Sequence, residues 1–168
     1  MTVLENFNNI IKSNQSNYPV PIVKLANDLG IVVYSTPFKN NISGAILKKD
    51  DKYVIYVNEK DNKNRQRFTI AHEIAHFILH KDIIDNDLNG NLTDIKAGVM
   101  YRSRLSNVYE KQANRLASEI LIPLKLLRDL LIKDITNTSE LANLFQVSEE
   151  GIRIRLKEGG NIFLPEEF

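Results

Sequence analysis

The chain contains three histidines, His72, His76 and His80, and all of them fall in one short stretch. The first two frame His72-Glu73-Ile74-Ala75-His76, the H-E-x-x-H pattern of helices that bind zinc. Four residues make about one helical turn, so the two imidazoles share a face and can converge on one ion at ~2.0–2.1 Å. Glu73 is displaced around the helix. It would stand beside the water to be activated, as the general base of a hydrolytic reaction. On a straight helix His80 lies ~12 Å along the axis from His72, too far for both to bond one ion. His80 therefore reads either as a residue supporting the site from behind or as the end of the helix.

There is no cysteine, so any further metal ligand must be an aspartate or glutamate. The best source is Glu110-Lys111-Gln112-Ala113-Asn114. Glu110 and Asn114 are one helical turn apart on one face, beside a packing face of Ala113, Leu116, Ala117, Ile120 and Leu121. In that arrangement Glu110 would bind the metal while Asn114 hydrogen-bonds a ligand histidine and fixes its orientation. Glu119, nine residues further on and flanked by core residues, is the rival. Glu110 as an ordinary surface residue is the plain alternative. With three protein ligands one position stays open for water, whose pKa falls towards ~7 beside such an ion. Glu73 could then take the proton as the water attacks a peptide carbonyl and pass it to the leaving amine. For the developing oxyanion, Tyr101, Arg102, Arg104 and Tyr109 are candidate donors.

The elements that must position these residues are readable from periodicity. Apolar residues at Val3, Leu4, Phe7, Ile10 and Ile11 predict an amphipathic helix over 2–12, broken by Pro19 and Pro21. A second, over 22–29, ends at Gly30. The β-branched or aromatic runs 31–34, 44–47 and 53–57 predict three strands of a small antiparallel sheet, with Lys49 to Lys52 as a hairpin turn. Residues 65–80 hold no Gly or Pro and are densely apolar, which predicts a helix buried on most sides. A polar, turn-rich loop is expected from Asp85 to Asn91, a short strand over 97–101, and a helix over 106–122. Pro123 opens another helix. Ser139 is the expected N-cap of a helix over 140–145, and Ser148 caps one over 149–158 that stops at Gly159. The expected fold class is therefore α+β: a small antiparallel sheet packed with the H-E-x-x-H helix and a second ligand-bearing helix, then short C-terminal helices. The parts are a helical N-terminal region and sheet (1–64), the metal helix (65–81), a variable loop (82–105), the Glu110 helix (106–122) and a helical segment (123–168) of one domain.

At 168 residues and 43% hydrophobic content the chain is of single-domain size. The start lacks the basic and apolar segments of a signal peptide, and no run approaches the ~18–20 apolar residues that span a bilayer. With no cysteine either, the expected location is the cytoplasm, without a membrane. The net charge is +1, and Lys and Arg are dispersed among Asp and Glu, so the broad basic footprint of a nucleic-acid binder is absent.

These residues match a known pattern: the chain resembles the ImmA/IrrE-type metallopeptidases, gluzincin-like proteins linked to repressor control in bacteria and mobile elements. The resemblance rests on Arg67-Phe68-Thr69-Ile70-Ala71-His72-Glu73-Ile74-Ala75-His76-Phe77-Ile78-Leu79-His80 and on Glu110-Lys111-Gln112-Ala113-Asn114-Arg115-Leu116-Ala117, ending at Leu121-Ile122-Pro123. Ser43-Gly44-Ala45-Ile46 and Val57-Asn58 add to it. It implies one zinc ion held by His72, His76 and Glu110, with Glu73 activating water. Leu116 stands where family members often have Phe. The resemblance also implies a protein substrate, a helix-turn-helix repressor whose cleavage releases transcription. The competing expectation is a repressor-binding module or antirepressor in which zinc is structural. A third, DNA binding through Ser139 to Lys157, draws on Arg153, Arg155 and Lys157.

Overall fold

The computed structural model describes residues 3–38, 42–49, 51–87 and 106–159. Among these residues the chain is α+β, built from eight helices and one three-stranded sheet. The expected strand over 97–101 and the oxyanion candidates Tyr101, Arg102 and Arg104 lie outside the described residues. Among the described residues no helix is long and apolar enough to cross a membrane.

Helices α1 (Val3–Asn14) and α2 (Ile22–Asp28) lead into strand β1 (Ile31–Thr36). The second helix stops where Gly30 takes a φ of +78°, a left-handed conformation that glycine adopts without a Cβ penalty. Strands β2 (Gly44–Lys49) and β3 (Lys52–Asn58) form a hairpin, antiparallel with Lys49 opposite Lys52. The sheet departs from the expected all-antiparallel one. Its order is β1-β3-β2, and β1 runs parallel to β3, from Ile31 opposite Tyr53 to Thr36 opposite Asn58. Connection length is the reason. The short turn after Lys49 can only fold the chain back on itself, whereas the longer separation between Thr36 and Gly44 leaves room for one strand position between β1 and β2, which β3 fills. β3 is consequently central, buried at Tyr53, Val54, Ile55 and Val57, and β1 and β2 are the edges.

Helix α3 (Lys63–Leu79) carries all the histidines except His80, which is its C-terminal cap. Asn62 starts it by accepting the Arg65 N–H at 2.9 Å, a cap that contributes about 1 kcal/mol. Every residue from Thr69 to Phe77 is buried, so this helix runs through the middle of the molecule rather than along its surface. Helix α4 (Lys81–Asp87) follows at once, and the polar stretch expected to be a loop from Asp85 is helical at its start. Tertiary packing overrides the turn propensity there. Ile84 is buried, and Lys81 donates at 2.6 Å to both Asp85 and the Tyr53 hydroxyl, which itself donates to Asp85. Burial opposes the charge on Asp85, but Lys81 and Tyr53 outweigh it and hold its carboxyl below the usual range.

Helix α5 (Asn107–Leu121) packs against α3 more extensively than any other pair of helices does. It is followed by α6 (Leu124–Ile132), α7 (Thr138–Phe145) and α8 (Glu149–Glu158). The N-cap of α7 is Asn137 rather than the expected Ser139: its Oδ1 accepts the N–H groups of Ser139 and Glu140, and asparagine caps as well as serine does. Ser148 caps α8 as expected, accepting the Gly151 N–H at 3.1 Å. One core joins the sheet, α3 and the C-terminal helices, with Ile55, Ile74, Ile120, Leu127 and Phe145 among its fully buried members.

The seam between β2 and α3 is tight at Gly44. A Cβ built there would stand 2.5 Å from the Thr69 methyl and 2.5 Å from the Tyr56 carbonyl oxygen. The carbonyl is backbone and cannot swing away. Gly44→Ala is therefore expected to lower unfolding stability by roughly 1–3 kcal/mol, as overpacked sites do, measurable by urea denaturation. Stability equal to wild type would show that the strand is free to move off the helix.

Candidate metal centre

The site lies where α3 packs against α5, two helices that bury several small side chains. Ala71 and Ala75 on α3 and Ala113 and Ala117 on α5 are all 0% exposed. Beside them α3 buries His72, Glu73 and His76, the last two to 1% exposure. Placing two imidazoles and a carboxylic acid in a core costs several kcal/mol unless each meets a polar partner or an ion. A fold that keeps them there uses them for chemistry more often than for stability.

The structure brings His72, His76 and Glu110 together. His72 Nε2 and His76 Nε2 are 3.0 Å apart. Glu110 reaches both from α5, with Oε2 at 3.2 Å from His72 Nε2 and Oε1 at 3.3 Å from His76 Nε2. Bonds of ~2.0–2.1 Å at tetrahedral angles put neighbouring ligand atoms ~3.3 Å apart, so these spacings are close to the edges of such a site. Asn114, one turn along α5 from Glu110, accepts from His72 Nδ1 at 2.9 Å. That bond places the proton of His72 on Nδ1 and turns the lone pair of Nε2 towards Glu110. The donor set therefore presents acceptor atoms to a common point, which suits a metal cation.

The point opens into a cleft of about 490 Å³, in which His72, Glu110 and Asn114 are joined by Ser43, Arg65, Phe68 and Thr69. Ser43 comes from the approach to β2, and Arg65 donates from Nε to its Oγ at 3.0 Å. A larger concavity of about 610 Å³, lined by Phe68, Leu121, Ile122, Val147 and Ile154 among others, adjoins it and shares Arg65 and Phe68. Sequence reasoning did not find Arg65 as a cleft residue. Its one signal was a position two turns before His72 on the same helix.

The remaining candidates are dispersed. Glu119, the rival ligand, points elsewhere: its carboxylate is 3.1 Å from Arg115 and 3.9 Å from Arg155. His80 is buried, with Nδ1 at 3.0 Å from Nδ1 of His76, which puts it behind the ligand set. Tyr109, one of the residues considered for the oxyanion, is occupied against His80, with ring centroids 4.8 Å apart.

The model of the IrrE N-terminal-like domain, a peptidase family, matches residues 26–157. Over 83 residues the chain is 39% identical to the radiation response metalloprotease IrrE of Deinococcus deserti, a match covering 49% of this chain and 27% of that one. Over 84 residues it is 36% identical to the metallopeptidase ImmA of Bacillus subtilis, covering 50% of this chain and 43% of that one. The matched part is thus less than half the length of either relative. A transcriptional regulator of Mycobacterium tuberculosis superposes with a TM-score of 0.61 over 91% of this chain and 45% of that one, at 16% identity, a likeness of fold.

The geometry separates the two acidic candidates by experiment. Glu110→Ala should weaken metal retention strongly, because it removes one of the three converging groups, while Glu119→Ala should leave it unchanged. Asn114→Ala should cost about 10- to 100-fold in metal affinity, the usual effect of removing a group that orients a ligand histidine. Chelator competition on the purified variants measures all three, and equal retention by Glu110→Ala and wild type would remove Glu110 from the site.

Proposed function

We propose, from the premise that this chain belongs to the IrrE N-terminal-like family of peptidases, that it is a zinc-dependent metallopeptidase acting on a protein substrate. One observation carries the reading: two imidazole nitrogens and the Glu110 carboxylate meet within 3.3 Å of one another, and Glu73, the residue after His72, is buried. Two histidines and one carboxylate suit zinc. Magnesium and calcium favour a shell made of oxygen atoms alone. His72, His76 and Glu110 would hold the ion, which when bound supplies the Lewis acidity that polarises a water and the scissile carbonyl.

The steps that fall to the protein follow from its own groups. Glu73 takes a proton from the attacking water as general base and returns it to the leaving amine. It follows His72 directly on the turn that also carries His76, and its burial would shield the proton from bulk solvent. Asn114 keeps His72 in the tautomer that presents Nε2. The substrate would lie along β2, which is an edge of the sheet and enters beside Ser43 and Thr69 of the cleft. An extended peptide can add to such an edge as a further strand. Cleavage would then need a flexible or locally unfolded segment of the partner.

The partner we propose is a helix-turn-helix repressor in the cytoplasm, on the strength of the resemblance to the ImmA/IrrE-type proteins. The sequestering alternative, with zinc serving structure alone, fits less well: among the described residues three groups converge, the number usual for catalytic zinc, whereas structural zinc is usually closed by four. Direct DNA binding through α7 and α8 is weakened by the cations themselves. Arg155 is buried and bonds the Ile122 carbonyl and Glu158, and Arg153 is paired with Glu149 and Glu150.

Glu73→Gln tests the reading. It should still bind about one zinc per chain and still bind a helix-turn-helix repressor that wild type cuts, but lose roughly 10²–10⁴-fold or more in cleavage rate. Wild type should cut that repressor at one or few bonds and leave casein largely intact. Equal, broad degradation of both would refute the specificity, and no cutting under any metal condition would favour the sequestering module.

A further inference from the structure

His80 and Gln112 have no part in the metal chemistry described above, yet they form a continuous hydrogen-bonded line to it. His80 caps α3, is 5% exposed, and stands between two partners. Its Nε2 is 3.0 Å from the side-chain oxygen of Gln112, on α5. Its Nδ1 is 3.0 Å from Nδ1 of His76, and Nε2 of His76 is one of the atoms that converge with Glu110. The Tyr109 ring packs against the imidazole of His80, with centroids 4.8 Å apart and planes tilted by 60°.

A carbonyl oxygen can only accept, so Gln112 fixes the proton of neutral His80 on Nε2. Nδ1 of His80 is then an acceptor, and the opposing Nδ1 of His76 must carry the proton between them. His76 is left with the lone pair of its Nε2 facing Glu110 and His72. Asn114 does the same for His72 directly. The two ligand histidines are thus set from the same helix, one by an amide in contact and the other by an amide acting through a third imidazole.

We infer that His80 is a positioning residue for the metal site, and that Gln112, His80 and His76 form a relay that selects the metal-binding tautomer of His76. The inference rests on His72, His76 and Glu110 being the metal ligands. The imidazole of a ligand histidine usually donates to a carboxylate, a backbone carbonyl or a water. Here the acceptor is another neutral imidazole, which accepts only while its own proton is held on the far nitrogen. An exposed glutamine on α5 consequently governs a buried ligand on α3.

Isosteric substitution tests this in the full-length chain. The side-chain oxygen of asparagine can occupy the place of histidine Nδ1, so His80→Asn keeps the acceptor that faces His76, and His80→Leu keeps bulk alone. Zinc affinity by chelator competition should fall about 10- to 100-fold in His80→Leu and return to near the wild-type value in His80→Asn. Thermal melting of the metal-free proteins identifies variants that have merely lost their fold. Long-range ¹H–¹⁵N spectra of the wild-type imidazoles give the tautomers independently of any variant: His80 protonated on Nε2 and His76 on Nδ1. Gln112→Ala should convert His80 to a mixture of tautomers. The relay is overturned if His80→Leu holds zinc as wild type does, if folded His80→Asn loses as much as His80→Leu, or if wild-type His80 carries its proton on Nδ1. Failure of wild type itself to bind zinc would instead overturn the metal site on which the relay rests.

Discussion

Everything in this molecule depends on the close approach of α3 and α5. His72 Nε2, His76 Nε2 and the Glu110 carboxylate converge because these two helices pack against each other, and the fully buried alanines at 71, 75, 113 and 117 keep both helices slim. A leucine in place of a small residue that faces the partner helix would force the axes apart by more than the tenths of an ångström that metal coordination tolerates. The convergence sets the rest of the constraints. It requires α3 to be buried nearly all round, which in turn requires the sheet on one side and the C-terminal helices on the other. The exposed stripe of an ordinary amphipathic helix is replaced here by a stripe of histidines that face another helix.

The helices also divide the work of the site between them. On the proposed reading α3 contributes the two imidazoles and the general base. On that reading α5 contributes the third ligand, Glu110, with the amide of Asn114 one turn along the same face at His72 and the amide of Gln112, on a different face, at His80. This arrangement has an energetic logic. Buried polar groups destabilise unless they are satisfied, and a network of matched donors and acceptors turns that liability into a single defined geometry. The sheet takes a different role. Gly44 lets β2 lie directly against Thr69 of α3, so the strand edge and the metal helix share one cleft wall. The Tyr53, Lys81 and Asp85 cluster anchors the far end of α3 to the same sheet through α4.

Much of this was legible in the sequence because it is local. The spacing of His72 and His76, the one-turn separation of Glu110 and Asn114, and the unbroken apolar run through α3 are properties of a helix and need no knowledge of the fold. The caps at Gly30 and Ser148 are equally local. What the sequence hid is what depends on distant partners. Strand periodicity carries no direction, so the parallel pairing of Ile31–Thr36 with β3 could not be told from a meander. Asp85 read as a turn because its helix-stabilising partners, Tyr53 and Lys81, include one on a strand 32 residues away. Gln112 looked like any exposed helix residue, since its meaning comes from His80 across the interface. Asn137 was passed over for Ser139 because both are good caps and only the backbone decides between them.

The central claim is that one zinc ion sits where His72, His76 and Glu110 meet. Anomalous diffraction from crystals grown with zinc, recorded on both sides of the zinc absorption edge, tests it most directly. The expected result is a single strong peak per chain, at ~2.0–2.1 Å from Nε2 of His72, Nε2 of His76 and an oxygen of Glu110, with Glu73 close by but not bonded. A peak bonded to other residues, or full zinc occupancy with Glu110 turned to solvent, would contradict it.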